Sequence, residues 1–426
     1  MGKAAGIIAE YNPFHLGHQY QIERTRQLTK ADYIVVVMSG NFVQRGEPAV
    51  FEKFQRARMA LLGGADLVLE LPAPFAAGSA EDFASAAVSL LDGLGAVSFL
   101  SFGSECGNLD LLKEAARCLI REPEPFREEL KNRLRQGAAF PAARRAALEA
   151  CGLSKDALEA ADAPNNLLGM EYLKALERLG SRIQPVTVLR EGCGYHDTAL
   201  SPARFASASA LRKAFADVRL TDLPPELAAQ LPPELLPLYR SGELLPICPD
   251  DSSALLNYKI LSCLAEGIPF QEYADFSPEL AGRLENQAYP FRSFSDRAAA
   301  LKTRQYTYTR VSRSLTHLLL DIRQSSLERC RRTGYVSYAR VLGFRKTAAP
   351  LLREIKEKST LPLITKAADA PAVLSRWQEE HPESSGADCP ALWNQDIFCS
   401  HLYHILQQQK YGTSPANEYS RPLVLL

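Results

Sequence analysis

No apolar run in this 426-residue chain approaches the roughly 20 residues that a helix needs to cross a bilayer. The first residues also lack the cationic stretch and apolar core of a secretory signal. Neither charge sign is in excess, because 49 Lys and Arg balance 49 Asp and Glu, which excludes a polycationic nucleic-acid coat but leaves local patches open. We therefore expect a cytoplasmic globular protein without a membrane partner, long enough for two ordinary domains.

The nine cysteines are scattered and odd in number, and no two of them form a Cys-x-x-Cys pair. A structural zinc site, a thioredoxin-type motif and a disulfide framework are therefore not expected. The pattern favours buried thiols in a reducing compartment, and no metal-ligating residues are predicted.

Short apolar segments alternate with helical patterns through the first half of the chain. The predicted strands are 6–10, 32–38, 66–71, 96–102 and 185–190. The predicted helical segments are 15–28, 51–62, 80–91, 109–179 and 209–215. This alternation predicts an α/β fold, a parallel sheet with helices on both faces.

The composition changes near residue 223. Seven prolines lie between residues 223 and 251, and beyond 252 helical periodicity dominates without clear strands. The chain is therefore predicted to have a Rossmann-like parallel-sheet domain at 1–220, a proline-rich linker at 221–251 and a mainly helical domain at 252–426.

The most informative segment is GIIAEYNPFHLGH at residues 6–18. A strand ends there, an Asn-Pro pair turns the chain, and a helix begins near His15. Ligands of a parallel α/β sheet bind beyond the carboxyl ends of its strands, where a helix N-terminus directs free N–H groups and a positive dipole end. His15 and His18 project from one face of the first turn, and Gly17 leaves room for a phosphate. The pattern indicates stabilisation of an α-phosphate and a departing pyrophosphate, with surface or capping histidines as the alternative.

A second element, ASASALR, lies at residues 206–212. Ser207 or Ser209 is expected to cap a helix, while Arg212 returns to the same phosphates as a planar donor. Alone, a Ser-x-Ser pair at a helix start is more often only a cap. Together the two elements resemble the HxGH nucleotidyltransferase superfamily, whose members join a nucleoside triphosphate to an acceptor and release pyrophosphate.

Longer motifs narrow the resemblance. Besides the first segment they are MSGNFVQRGEP (38–48), DLVLELP (66–72), FGSE (102–105), PNNLLG (164–169) and YHD (195–197). In this order they are similar to the bacterial tRNA(Met) cytidine acetate ligase family. The match is strong over about residues 1–215 and weaker beyond, where YTYTR at 306–310 is clearest.

The resemblance implies an enzyme that activates acetate with ATP as acetyl-AMP and releases pyrophosphate. By the same resemblance, this enzyme is expected to acetylate N4 of the wobble cytidine of elongator tRNA(Met), giving N4-acetylcytidine. Candidate catalytic residues are His15, His18 and Arg212, with Mg²⁺ expected on the phosphates. His196 and Asp197 are candidates for a general base, although structural hydrogen bonding is the more common role for each. The predicted ATP-binding residues are Ile8, Ala9, Glu10, Tyr11, Asn12, Pro13, Phe14, His15, Leu16, Gly17, His18, Gln19, Tyr20, Gln21, Gly103, Asn165, Arg190 and Ser209.

Basic residues are concentrated between residues 297 and 358, where 15 Lys and Arg stand against four Asp and Glu. Arginines interleaved with tyrosines can hold phosphates and stack on unpaired bases, so this segment is predicted to bind the anticodon region of the tRNA. A solvated helix face is the alternative. The predicted tRNA-binding residues are Arg45, Arg304, Arg310, Arg313, Arg331, Arg332, Arg345 and Lys346.

Two other functions stay open. A small-molecule nucleotidyltransferase would account for HLGH and ASASALR, but not for the additional basic, tyrosine-bearing half. A non-catalytic RNA-binding protein on the same scaffold would account for that half, but not for intact His15, Gly17 and His18. No protein partner is indicated.

Overall fold

The computed structural model describes residues 2–190, 206–216, 218–382 and 389–426. The described strands are β1 (Ala4–Ala9), β2 (Tyr33–Ser39), β3 (Phe42–Val43), β4 (Glu47–Pro48), β5 (Leu67–Leu71), β6 (Phe99–Ser104), β7 (Gln184–Leu189), β8 (Ala339–Phe344), β9 (Leu363–Ile364) and β10 (Val424–Leu425). The helices of the first half are α1 (Leu16–Thr29), α2 (Lys53–Leu62), α3 (Ala73–Ala76), α4 (Ala80–Gly93), α5 (Leu109–Arg121), α6 (Glu124–Arg135), α7 (Phe140–Ala150), α8 (Lys155–Asp162), α9 (Pro164–Leu179) and α10 (Ala208–Ala216). The remaining helices are α11 (Pro225–Ala228), α12 (Leu236–Arg240), α13 (Ser253–Glu266), α14 (Pro278–Glu285), α15 (Phe294–Leu301), α16 (Tyr308–Leu319), α17 (Gln324–Arg332), α18 (Ala349–Lys358), α19 (Ala370–Glu380) and α20 (Cys389–Tyr411).

The main sheet has the strand order β10-β8-β5-β2-β1-β6-β7, with β9 paired to β8. Strands β1, β2, β5, β6 and β7 are parallel to one another, as the first half of the sequence predicted. The chain builds outward from β1 to β5 on one side and then continues with β6 on the other side of β1. The carboxyl ends of β1 and β6 therefore border the crevice in which α/β sheets of this kind bind ligands.

Alternate residues of β2 enter two separate apolar cores, so helices cover both faces of the sheet. Val35 and Val37 belong to a core shared with the alanines of α4, whereas Ile34 and Val36 belong to a core shared with α1 and α2. The close approach of α4 depends on Gly6 of β1, because a Cβ there would lie 2.7 Å from Leu91 Cδ1. The α/β architecture predicted from the sequence is confirmed.

The proline-rich segment predicted as a linker packs on the second core instead of crossing solvent. Its leucines and Tyr239 join Phe14, Phe51 and Phe215 in that core. Gln230 accepts the backbone N–H of Leu16 at its carbonyl (3.1 Å) and that of Ala206 at Oε1 (2.8 Å). The segment thereby ties together the starts of α1 and α10, while the predicted domain boundaries stay a prediction.

The second half is mainly helical, but the expectation that it contains no clear strands is wrong. β8 pairs antiparallel with β5, and β9 and β10 pair with β8, so the sheet is mixed. The sequence signal was weak because β9 and β10 have two residues each. In β8, Arg340 and Gly343 also interrupt the apolar run.

Two further expectations concern membranes and thiols. Among the described residues, no helix combines the length and apolar character needed to span a membrane. Every cysteine whose side chain is described carries a free thiol, but Cys248 is exposed, so burial is not general. Cys193 and the side chain of Cys389 lie outside the described part.

A buried group of four charges joins the two halves of the chain, and we call it the junction cluster. Lys53 Nζ lies 2.8 Å from Glu70 Oε1 and 2.7 Å from Glu418 Oε1. Arg340 lies 3.1 Å from Glu70 Oε2 and donates to Glu418. Burial opposes ionisation of Glu418, but Lys53 and Arg340 outweigh it and lower its pKa to about 2. The two cations thus balance two carboxylates with almost no solvent contact.

We expect Lys53→Met to destabilise the protein by about 3–5 kcal/mol, because the variant leaves two buried carboxylates facing one cation. Urea unfolding of the variant and the wild type measures the difference. Lys155→Met is the matched control, since Lys155 is 86% exposed and lies 3.9 Å from Glu159; it should change stability by less than about 0.5 kcal/mol. Equal effects of the two substitutions would contradict a central role for the junction cluster.

Asp396 lies beside the junction cluster with both of its oxygens occupied. Its Oδ1 accepts the N–H of Ala73 (2.7 Å), and its Oδ2 accepts the hydroxyl of Tyr338 (2.6 Å). Burial, with Glu70 nearby, raises the pKa of Asp396 to about 7. Between about pH 4 and 7 the unfolded chain has lost this proton and the folded chain keeps it. The contribution of Asp396 to stability therefore falls as pH rises through this window and is constant above it.

Asp396→Asn removes this titration and keeps the side-chain shape. We expect its stability relative to the wild type to be higher at pH 7.5 than at pH 5, by about 2 kcal/mol. Urea unfolding of both proteins at the two pH values gives this difference. A stability difference that is the same at both pH values would show that Asp396 ionises normally in the folded protein.

Candidate active site

The two histidines of the first segment form a reciprocal cap at the start of α1. His15 is the N-cap residue, and its Nδ1 accepts the N–H of Gly17 at 3.0 Å. The N–H of His15 in turn donates to His18 Nδ1 at 3.3 Å, and the two ring centroids are 3.9 Å apart. Because each Nδ1 accepts a hydrogen bond, the proton of each neutral ring is on Nε2. The loop therefore carries two ring N–H donors at a helix N-terminus.

Both rings are uncharged at neutral pH. Burial, together with Arg190 and Arg212, lowers the pKa of His15 to about 3. Burial, followed by His15 and Arg190, lowers the pKa of His18 well below its ordinary value. Neutral rings can act toward an anion only as fixed dipolar donors, so the formal positive charge in this region is that of the arginines.

The predicted nucleotide segment 8–21 runs from the end of β1 into the first turns of α1. Tyr11 and Phe14 are buried and pack on His18, with ring centroids 4.8 and 5.6 Å from it. Asn12 holds the turn by accepting the N–H of Val50 at 2.7 Å. The other buried residues of the segment are Ile8, Pro13 and His15. The half-buried residues are Ala9, Glu10, Leu16, Gly17, His18, Gln19, Tyr20 and Gln21.

Helix α10 brings Arg212 to this loop, as the sequence predicted. The Arg212 guanidinium donates to the Asn12 carbonyl at 2.7 Å and to Ser209 Oγ at 3.2 Å. Ser207 Oγ accepts the N–H of Ala210 at 3.1 Å, so Ser207 caps the helix and Ser209 orients the arginine. Arg212 also lies 3.7 Å from Glu47, a residue that the sequence did not single out.

Gly103 and Arg190 lie together at the carboxyl ends of β6 and β7. A Cβ at Gly103 would lie 3.2 Å from Arg190 Cγ, so the arginine side chain extends over the glycine. Its charge acts on both histidines, as their lowered pKa values show. Arg190 therefore belongs to the same crevice as the histidine loop.

Asn165 is at the first turn of α9 and is held by Glu105. The Asn165 side chain donates to Glu105 Oε1 at 2.6 Å, and the N–H of Asn166 donates to Glu105 Oε2 at 2.9 Å. Glu105 follows β6, so Asn165 is placed at the same sheet edge as Gly103. One of its two side-chain N–H groups is used in this contact, which leaves the second N–H group and the carbonyl oxygen to contact a ligand.

The β3–β4 hairpin contains the QRGEP motif and the predicted tRNA-binding residue Arg45, but the sequence did not predict its contacts. Gln44 donates its N–H to Glu10 Oε1 at 2.9 Å, and Glu47 approaches Arg212. On the other side, the Gly46 carbonyl accepts the hydroxyls of Ser312 (2.6 Å) and Thr316 (2.7 Å) of α16. Gly46 has a φ of 72°, and a Cβ there would overlap the backbone of α16, so the glycine of QRGEP was the available signal. The hairpin connects the histidine loop to the basic half.

The predicted tRNA-binding residues fall into two groups. The exposed ones are Arg304, Arg310, Arg332 and Lys346, and the half-buried ones are Arg45, Arg313, Arg331 and Arg345. Arg331 is paired with the buried carboxylate of Asp82 at 2.7 and 2.8 Å. Arg345 donates twice to the Leu61 carbonyl, at 3.0 and 2.6 Å, and Arg313 donates to Asp275 at 3.2 Å. These three guanidinium groups stabilise the fold.

Two further points concern the general base and the metal. The base candidates His196 and Asp197 lie outside the described residues. Within the described ranges, no group of three or more His, Cys, Asp or Glu side chains could hold a metal ion.

The sheet crevice, the paired ring donors and the returning arginine form the arrangement expected for the nucleotide site of a nucleotidyltransferase. The sequence matches the model of the HIGH nucleotidyl transferase family from residue 2 to 417. It is 36% identical over 421 residues to the tRNA(Met) cytidine acetate ligase of Thermoanaerobacter sp., with 99% of both chains covered. It is 40% identical over 359 residues to the protein of the same name from Caldicellulosiruptor saccharolyticus, covering 84% of this chain and 86% of that one.

Solved structures agree with this assignment. Apo TmcAL of Thermotoga maritima superposes with a TM-score of 0.88 at 30% identity, covering 100% of this chain and 99% of that one. The same protein bound with alpha-thio ATP superposes with a TM-score of 0.86 at 29% identity, covering 99% of both chains. The chain belongs to the tRNA(Met) cytidine acetate ligase family of HIGH nucleotidyl transferases, which confirms the resemblance seen in its motifs.

We expect His15→Asn and His18→Asn each to lower acetate-dependent ATP–pyrophosphate exchange by about 10²–10³-fold. Asparagine keeps the cap acceptor through its Oδ1 but removes the Nε2 donor, and one such donor typically contributes this much to a transition state. His381→Asn is the control, because His381 stacks on Trp377 after α19. Normal exchange in either loop variant would show that the histidines only cap the helix.

Proposed function

We propose that the protein is an ATP-dependent ligase that forms acetyl-AMP from acetate and ATP, releases pyrophosphate, and acetylates N4 of the wobble cytidine of elongator tRNA(Met). The carrying observation is the set of donors at the start of α1, two ring N–H groups beside Arg212, in a member of this family. The names of the relatives and the TmcAL complex with alpha-thio ATP support the same substrates.

The first step follows from the weakness of acetate as an acyl donor. A carboxylate oxygen of acetate attacks the α-phosphate, the bond to the β-phosphate breaks, and pyrophosphate leaves. The ring donors of His15 and His18 and the guanidinium of Arg212 stabilise the charge that develops on the phosphates. Arg190, held over Gly103, adds a second cation at the same crevice.

We propose that Mg²⁺ enters this site with ATP. Phosphate oxygens are ligands that Mg²⁺ prefers, and they need few protein side chains to complete the shell. The metal is thus part of the nucleotide substrate.

We propose that the tRNA binds along the first turn of α16 and the segment before it, which we call the α16 patch: Arg304, Tyr308 and Arg310. All three residues are exposed, and the Arg310 guanidinium lies 5.0 Å from the ring centre of Tyr306. Tyr308 is still partly buried, and this raises its pKa. Glu47 of the hairpin lies near enough to add to the rise. A surface of arginine and tyrosine beside the nucleotide site suits an unpaired anticodon loop. The region from 252 to 426 is accordingly proposed as the RNA-binding part.

The experiment is transfer of labelled acetate into total bacterial tRNA, with ATP present or omitted. The proposal predicts ATP-dependent label in the RNA, recovered as N4-acetylcytidine from elongator tRNA(Met). Pyrophosphate release with a small acceptor and no label in RNA would favour the small-molecule nucleotidyltransferase instead. RNA binding without ATP turnover would identify a non-catalytic RNA-binding protein.

We expect the double variant Arg304→Glu, Arg310→Glu to weaken tRNA binding at least about 10-fold at physiological salt and to reduce the slope of affinity against salt by about 1–2. ATP–pyrophosphate exchange without tRNA should be unchanged. Filter binding across a salt series measures both quantities.

The matched control is Lys3→Glu, Arg182→Glu. These two exposed residues precede β1 and β7, so they lie at the opposite edge of the parallel sheet from the nucleotide site. The control carries the same change in charge and should bind tRNA nearly as the wild type does. Equal losses in the two double variants would remove the α16 patch from the proposal.

A further inference from the structure

Acetyl transfer to a cytidine amine requires a group that removes a proton, and the histidines of the site do not fit this role. Each Nδ1 accepts a backbone N–H, and each Nε2 already carries the proton. Their lowered pKa values reflect an environment that disfavours a further proton on either ring. The base must therefore be a different side chain, a requirement that rests on the proposed function.

Three carboxylates lie at this edge among the described residues, and their contacts distinguish them. Glu105 uses Oε1 for Asn165 and Oε2 for the N–H of Asn166. Glu47 lies 3.7 Å from Arg212. Glu10 accepts the N–H of Gln44 at Oε1 (2.9 Å), and its Oε2 has no hydrogen-bond partner within the described part of the chain. The hairpin therefore holds Glu10 by one carboxylate oxygen and leaves the other available for a proton.

Glu10 is also placed between the two substrates. Glu10 directly follows β1 at the start of the histidine loop, and Arg212 donates to the carbonyl of Asn12, two residues further on. Its Oε1 is held by the hairpin whose opposite side contacts α16 next to the α16 patch. A cytidine that leaves an anticodon loop bound at the patch approaches the acetyl-AMP from the hairpin side, where Glu10 is half-buried.

The groups packed around Glu10 shift its pKa in opposite directions. Burial raises its pKa, Arg212 and Arg45 oppose that rise, and Glu47 adds to it. The backbone carbonyl of Glu10 accepts Arg56 of α2 at 2.6 Å. Tyr172 of α9 is also close, because Glu10 adds to the rise that burial causes in the pKa of Tyr172. The histidines of α1 add no charge.

We propose that Glu10 is the general base of the acetyl-transfer step and receives the N4 proton of cytidine on Oε2. The N4 lone pair attacks the carbonyl carbon of acetyl-AMP, and the C–O bond to the phosphate breaks. AMP leaves with that electron pair, and the proton lost from N4 goes to the Glu10 carboxylate, which later releases it to water. The products are N4-acetylcytidine, AMP and a proton, so atoms and charges balance.

The test separates the two half-reactions in Glu10→Gln. Adenylate formation is followed by acetate-dependent ATP–pyrophosphate exchange and by trapping acetyl-AMP with hydroxylamine, a nucleophile strong enough to need no base. Because Glu10 lies in the predicted nucleotide segment, these two assays measure any loss of nucleotide binding, and single-turnover transfer to tRNA should fall by about 10²–10⁴-fold more than either. Transfer by the wild type should rise with pH as Glu10 ionises and then level off, and the variant should lose this rise.

Glu10→Asp and Glu23→Gln complete the design. The aspartate keeps a carboxylate on a shorter arm, so it should transfer acetate faster than the glutamine variant and retain the pH dependence. Glu23 is exposed on α1, and its replacement should leave both half-reactions unchanged. If the glutamine variant fails to fold, as judged by its unfolding transition, the aspartate variant alone must slow transfer more than exchange.

Different failures have different meanings. Normal transfer by Glu10→Gln, or equal losses of exchange and transfer, would overturn the assignment, since equal losses indicate a nucleotide-positioning residue. A wild type that forms hydroxamate but never acetylates tRNA would instead overturn the proposed function.

Discussion

Two backbone hydrogen bonds at the first turn of α1 determine the chemistry of the whole site. His15 Nδ1 accepts the N–H of Gly17, and His18 Nδ1 accepts the N–H of His15. Each ring therefore closes the helix with one nitrogen and presents an N–H donor with the other. Burial and neighbouring arginines lower the pKa of both rings, and we propose that the neutral rings stabilise phosphates without acting as acids or bases. In this proposal, Arg212 supplies formal positive charge and Glu10 removes the proton.

A second constraint makes one enzyme from two regions of the chain. The β3–β4 hairpin holds Glu10 through Gln44 and contacts α16 through the Gly46 carbonyl. In the junction cluster, Lys53 of the first half forms a buried ion pair with Glu418 of the second half. These contacts place α16, the helix proposed to bind RNA, beside the histidine loop.

The sequence predicts best where local pattern and tertiary role coincide. The buried strands of the first half and the loop from 6 to 18 have strong local signals, and the structure places them as expected. β8 was missed because Arg340 is buried only through Glu70 and Glu418, which are distant in sequence. The role of Gln230 was missed for a similar reason. Nothing in a proline-rich segment indicates that one residue accepts hydrogen bonds from the starts of two other helices. Charge counting also does not distinguish Arg331, paired with Asp82, from Arg310 in solvent.

The most direct measurement is the ring-nitrogen NMR spectrum of the ¹⁵N-histidine-labelled protein between pH 6 and 8, with signals assigned from the two asparagine variants. The structure requires both rings to be neutral and protonated on Nε2 across this range, with no titration step. A ring that titrates near its ordinary pKa, or that carries its neutral proton on Nδ1, would contradict the reciprocal cap and the site built on it.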